Sequence, residues 1–211
     1  MSQKIKPLLR GHFHQAAFYM ALGAGAVLVA AAKGFEARVG ALIYAASIAC
    51  MYGISAVYHR ITWRPEQRVW WRRLDHAGIF VMIAGTGTPV ALLGIRGSAG
   101  QNLFWILWIS ALAGVLKELL WIHAPKWVSA VLYVIMGWTA IFYYQEMIAG
   151  IGWSGLSLML AGGLIYTLGA VIYALRKPDP VPPVFGYHEI FHLLVMVASV
   201  CHFVVVFRLV V

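Results

Sequence analysis

A chain of 211 residues, 62% hydrophobic and only 11% charged, with a mean hydropathy of +0.81, is too apolar for a water-soluble globule and reads as an integral membrane protein. Its net charge of +9 would suggest a nucleic-acid partner in a soluble protein. Here it reports orientation and contact with anionic lipid, so membrane lipids and no nucleic acid are the expected partners. The two cysteines, Cys50 and Cys201, both lie inside apolar runs, which points to packing and away from a disulfide framework.

In chain order, apolar stretches of about 20 residues predict seven transmembrane helices. The first covers residues 15–32. No A-x-A-like cleavage site follows it, so it reads as a retained helix, and His12 and His14 in the basic segment before it are expected to face lipid headgroups. The second, residues 39–58, carries Ser55 and leads directly into His59 and a basic break over 60–73. The third, 74–93, opens on Leu74-Asp75-His76 and should be kinked by Pro89, with the hydroxyls of Thr86 and Thr88 available to freed carbonyls.

The fourth, 102–122, ends at His123-Ala124-Pro125-Lys126, with His123 in the loop. The fifth and sixth, 127–147 and 155–175, are separated by a glycine-bearing break over 150–153. After Lys177-Pro178-Asp179-Pro180 the seventh, 188–211, begins with His188-Glu189-Ile190-Phe191-His192. Tryptophans such as Trp70, Trp71, Trp105, Trp127 and Trp153 stand near segment ends, where amphipathic rings favour the headgroup layer. Small residues such as Ala21 to Gly25 and Gly162-Gly163 let helices approach closely. The fold class is all-α: a seven-helix membrane bundle forming one integral membrane domain over 1–211.

Alternating the loops between two sides puts twelve of the sixteen Lys and Arg on the N-terminal side, Lys4, Lys117 and Lys126 among them, and Lys33, Arg38, Arg96 and Arg208 on the other. That asymmetry predicts a cytoplasmic N-terminus, an external C-terminus and a multi-pass protein of the plasma (inner) membrane.

The same parity brings the end of the second helix and the starts of the third and seventh to one membrane depth. His59, Asp75, His188 and His192 are then neighbours. His188 and His192, at i and i+4, share a helix face and make a metal clamp. With His59 they offer three imidazoles to a zinc ion, while Asp75 is placed to take a proton from water. Ser55, one turn before His59, is placed to donate to a substrate carbonyl or orient a ligand. Taken singly, His59 also reads as an interfacial histidine, and Asp75 as a helix cap or a partner of Arg72 or Arg73. His202 lies about 15 Å further along the seventh helix, too far to share the ion, and reads as a packing or hydrogen-bonding residue. His76 points about 100° away from Asp75, and Glu189 is turned off the histidine face toward the helix N-terminus.

Ser55-Ala56-Val57-Tyr58-His59, Leu74-Asp75-His76-Ala77-Gly78-Ile79, Gly85-Thr86-Gly87-Thr88-Pro89 and the run from His188 to His192 on through Val200-Cys201-His202-Phe203 together resemble the hemolysin III branch of the progestin and adipoQ receptor (PAQR) family, itself similar to adiponectin receptors and alkaline ceramidases. The resemblance implies a seven-helix bundle with a cytoplasmic N-terminus, zinc held by His59, His188 and His192, and Asp75 beside the reacting water. It also implies a ceramide-like or other acyl substrate. Gly11-His12-Phe13-His14-Gln15 departs from the acidic residue and Ser-His pair with which many bacterial members begin the first helix.

Two function classes follow. One is a zinc-dependent intramembrane hydrolase of a lipid amide or ester, with Asp75 and Ser55 as its catalytic side chains. The other is a non-enzymatic receptor, or a pore-forming, cytolytic protein, with structural zinc. Against the pore, the run from Val39 to Cys50 is apolar and small where a channel needs a polar face.

Overall fold

The computed structural model describes residues 6–121 and 124–211, without the side chain of Lys126. Lys4, Ile122 as the end of the fourth helix, and His123 therefore lie outside the described residues. Seven helices account for nearly all of the rest: α1 (His12–Ala31), α2 (Phe35–Arg60), α3 (Pro65–Pro89), α4 (Gly97–Leu120), α5 (Lys126–Trp138), α6 (Tyr144–Leu175) and α7 (Tyr187–Val210).

A 3₁₀ turn, Thr139–Tyr143, joins α5 to α6, so that Trp127–Leu175 is helical over 49 residues. Straight, it would run about 74 Å, more than twice the thickness of a bilayer's hydrocarbon core. It folds back instead. Gly152 takes φ 69° and ψ 173°, outside any helical region and open to glycine alone without strain. The Trp138 indole N–H then reaches the Thr167 hydroxyl at 3.0 Å, although 29 residues of unbroken helix would hold them about 43 Å apart. Gly152 is therefore the turn between the fifth and sixth crossings, within the predicted break over 150–153, and the described residues make seven crossings.

Several helices begin before the predicted residue, and one of these boundaries bears on the site. The third helix begins at Pro65, nine residues before Leu74, because the Arg-rich segment is helical and holds its guanidiniums at one end of the bundle. Asp75 consequently sits in the third turn and cannot be an N-cap. At the other end of α3, Pro89 is followed by a π-helical turn, Val90–Gly94, and the Thr88 hydroxyl donates to Ala84 O at 2.8 Å while accepting the Trp108 indole N–H at 3.0 Å.

Close approach of backbones sets the packing. Gly25 of α1 faces Ala45 of α2, and Gly162 of α6 lies against the His202 ring of α7, so that a methyl group at either glycine would collide. His202 hydrogen-bonds Met159 O at 3.2 Å, which makes it a residue of the α6–α7 contact. Cys50 is exposed and Cys201 partly buried; both are free thiols.

Candidate metal centre

The site is built where the last turn of α2 meets the first turns of α7. Gly186 is the N-cap of helix α7, and its backbone N–H donates to Glu189 Oε2 at 2.9 Å, while the Glu189 carboxylate also pairs with Arg10 Nε at 2.5 Å. Glu189 is only 1% exposed, so this double engagement is what allows a carboxylate to be buried there. With the helix start pinned, His188 and His192 point from consecutive turns into the bundle, and His59 meets them from the C-terminal turn of α2.

All three imidazoles are buried, and each offers a ring nitrogen within 4.8 Å of the other two. His59 Nε2 and His188 Nε2 are 3.2 Å apart. Two nitrogens each about 2.0–2.1 Å from one tetrahedral ion stand roughly 3.3 Å apart, so this donor set fits a single metal ion. Asp75 Oδ2 lies 3.7 Å from His59 Nε2, which brings the carboxylate of α3 to the edge of the cluster without making it a fourth imidazole-like ligand.

Ser55 occupies the next turn of α2. Its hydroxyl lies 2.8 Å from His14 Nδ1 and also faces the Asp75 carboxylate. This corrects the expectation for His14, which does not face headgroups. It is 3% exposed and its ring stacks on His192 at 3.7 Å with an interplanar angle of 5°. A single imidazole at the start of a largely exposed helix gives no sequence signal of this; only the packing of α1 against α2 and α7 reveals it. His12 does stay near the surface, beside Arg60 Nη1 at 2.8 Å.

His76 leaves the cluster as its helical phase requires. Its Nδ1 lies 3.5 Å from Glu118 Oε2 of α4, and Glu118 Oε1 accepts from Lys117 Nζ at 2.8 Å and Ser129 Oγ at 2.6 Å. This buried polar group joining α3, α4 and α5 was not anticipated, because nothing in the linear sequence links Glu118 to His76.

From the histidines a cavity of about 150 Å³ runs inward between α2, α3, α5, α6 and α7, past Ile79, Met82, Tyr133 and Phe191 to Trp138 and His202. It follows α7 from His188 to His202, about 21 Å of helix rise. Deep in the bundle, the Tyr52 and Tyr166 hydroxyls both bond to Ser199 Oγ at 2.7 Å, and the Ser199 hydroxyl donates a hydrogen bond to Val195 O at 2.8 Å.

A model of the family described as "Haemolysin-III related" matches residues 2–203. The chain belongs to that family. It is 33% identical over 168 residues to "Hemolysin-3" of Bacillus cereus, covering 80% of this chain and 74% of the relative, and 30% identical over 161 residues to "Hemolysin-3 homolog" of Bacillus subtilis (strain 168), covering 76% and 72%. It is also 26% identical over 175 residues to the human "Monocyte to macrophage differentiation factor", covering 81% and 70%, and 30% identical over 184 residues to the Drosophila melanogaster "Adiponectin receptor protein", covering 74% and 39%. Membership of the haemolysin-III-related family and the seven apolar crossings agree with the resemblance read from the motifs: this is a multi-pass membrane protein of the PAQR type.

Proposed function

We propose that this protein is a zinc-dependent hydrolase of a lipid amide or ester, acting at the cytoplasmic face of the plasma membrane. The observation that carries the reading is the meeting of three buried imidazoles with a carboxylate at the head of an apolar slot. His59, His188 and His192 would hold the ion, with Asp75 alongside, a donor set of the kind found in catalytic zinc sites that keep one position open. When bound, zinc supplies Lewis-acid polarisation of a carbonyl and a reactive water at neutral pH.

The chain's own residues then have distinct tasks. Asp75 takes the proton of the attacking water and returns it to the leaving nitrogen or oxygen. Ser55, held by His14, keeps its hydroxyl turned toward Asp75 and available to a substrate carbonyl. The stack of His14 on His192 limits rotation of that ligand ring, as outer partners of metal-bound histidines do.

The slot supports an acyl substrate because apolar side chains such as Ile79, Met82 and Phe191 line it along roughly 21 Å of the rise of α7. For orientation, Arg72, Arg73 and Arg176 gather at the histidine end of the bundle, and with the charge asymmetry of the loops this supports a cytoplasmic site and N-terminus.

The test is release of free fatty acid, followed by mass spectrometry, from ceramide, an N-acyl amino acid and a lysophospholipid incubated with purified zinc-replete protein. At least one should be cleaved, and chelation should abolish the cleavage. Zinc-replete protein that cleaves none of them contradicts the reading.

A further inference from the structure

A second cavity, of about 540 Å³, opens beside the first and shares His76, Ser129, Ala130 and Tyr173 with it. Its character is opposite. Three guanidiniums, Arg72, Arg73 and Arg176, stand on its wall. Glu118 is the one carboxylate among its described lining residues, and Lys117, Ser129 and His76 already engage it.

Arg73 is the informative member. It is 9% exposed, its guanidinium lies over the Trp70 ring at 4.3 Å, and its Nε is buried with no hydrogen-bond partner among the described residues. No carboxylate pairs with it among those residues either. Burying a guanidinium nitrogen without a hydrogen-bond partner is costly, and an arginine on the wall of a cavity is suited to bind a phosphate or carboxylate.

We propose that this vestibule binds the anionic headgroup of the lipid whose acyl chain enters the neighbouring slot, so that the substrate class is a single-chain lipid with a phosphate or carboxylate head. This rests on the lipid reading above and narrows it. The shared wall lets one molecule occupy both cavities, with its head on the arginines, its linkage beside His59 and Asp75, and its chain toward Trp138.

The experiment measures binding to the purified full chain in a neutral detergent, with zinc content determined on the same sample. The probes are oleoyl lysophosphatidic acid, oleoyl lysophosphatidylcholine and inorganic phosphate. A charge-assisted headgroup contact predicts a preference of at least about tenfold for the phosphatidic over the choline lipid. Arg73→Gln should bring that ratio close to one and Arg73→Lys should keep part of it. Arg64→Gln, which removes the same charge outside the vestibule, should leave it intact.

If Arg73→Gln does not fold, the Arg72→Gln/Arg176→Gln pair must lower the ratio instead. Inorganic phosphate should compete only weakly; binding as tight as the lipid's would assign the site to a free anion and overturn the proposal. An unchanged ratio in the folded Arg73→Gln protein also overturns it, and with zinc still bound leaves the hydrolase reading standing. Because selectivity is read without turnover, loss of zinc or of hydrolysis alone strikes only that earlier reading.

Discussion

The two ends of the bundle are held by different physics. At the histidine end, buried polar groups are satisfied in pairs: Glu189 by Arg10 and the start of α7, Ser55 by His14, and Glu118 by Lys117 and Ser129. At the far end the contacts are between backbones and small side chains. Gly150 lies against the Gly94 carbonyl, Gly100 against the Ala91 and Ile95 carbonyls, and Val205, Val206 and Val210 are almost wholly buried. Lipid gives no hydrophobic drive for helices to associate, so the far end must gain from close packing, while the near end holds a chemical site because its buried carboxylates and the Ser55 hydroxyl have partners, Arg73 Nε being left without one among the described residues.

That contrast predicts substitutions that damage one end and spare the other. The largest effect is expected for Asp75→Asn, which keeps the shape of the site and removes the base. Zinc content should hold while lipid turnover falls about 10²–10⁴-fold in a fatty-acid release assay, whereas a structural zinc site would have no rate to lose. Next comes Gly150→Ala. Its methyl would run into the backbone of Gly94, which cannot rotate away, so thermal unfolding in detergent should show a loss of about 1–3 kcal/mol with zinc stoichiometry unchanged. The smallest is Tyr52→Phe. It removes one of two hydroxyls on Ser199, and the remaining Tyr166 contact should limit the loss to about 0.6 kcal/mol by the same measurement. A Gly150→Ala protein that loses its metal would mean that the two ends are coupled.

The sequence carried the crossings well because lipid imposes length and polarity so strictly. Even the break at Gly152 lay inside the glycine-bearing gap, and helix parity brought His59, Asp75, His188 and His192 to one end before any distance was known. What it hid has physical causes. Arg64, Arg68, Arg72 and Arg73 read as a loop because charge breaks a hydropathy plot, yet arginine is a good helix former and the helix runs on beyond the apolar stretch. His14 looked like a surface residue because its burial depends on how α1 docks. The Glu118 cluster and the unpartnered Nε of Arg73 were invisible for the same reason, since which polar groups meet in the interior is a property of packing.

The central claim is that imidazoles from α2 and α7 share one ion. Elemental analysis of the purified protein tests it most directly, comparing wild type with His59→Ala, His188→Ala and His192→Ala, and with His202→Ala on the same helix as a control. The account predicts about one zinc per chain in the wild type and the His202 variant, and near none in the other three, as a site of three ligands cannot hold the metal on two. Stoichiometric zinc retained in the His188→Ala and His192→Ala proteins would contradict it.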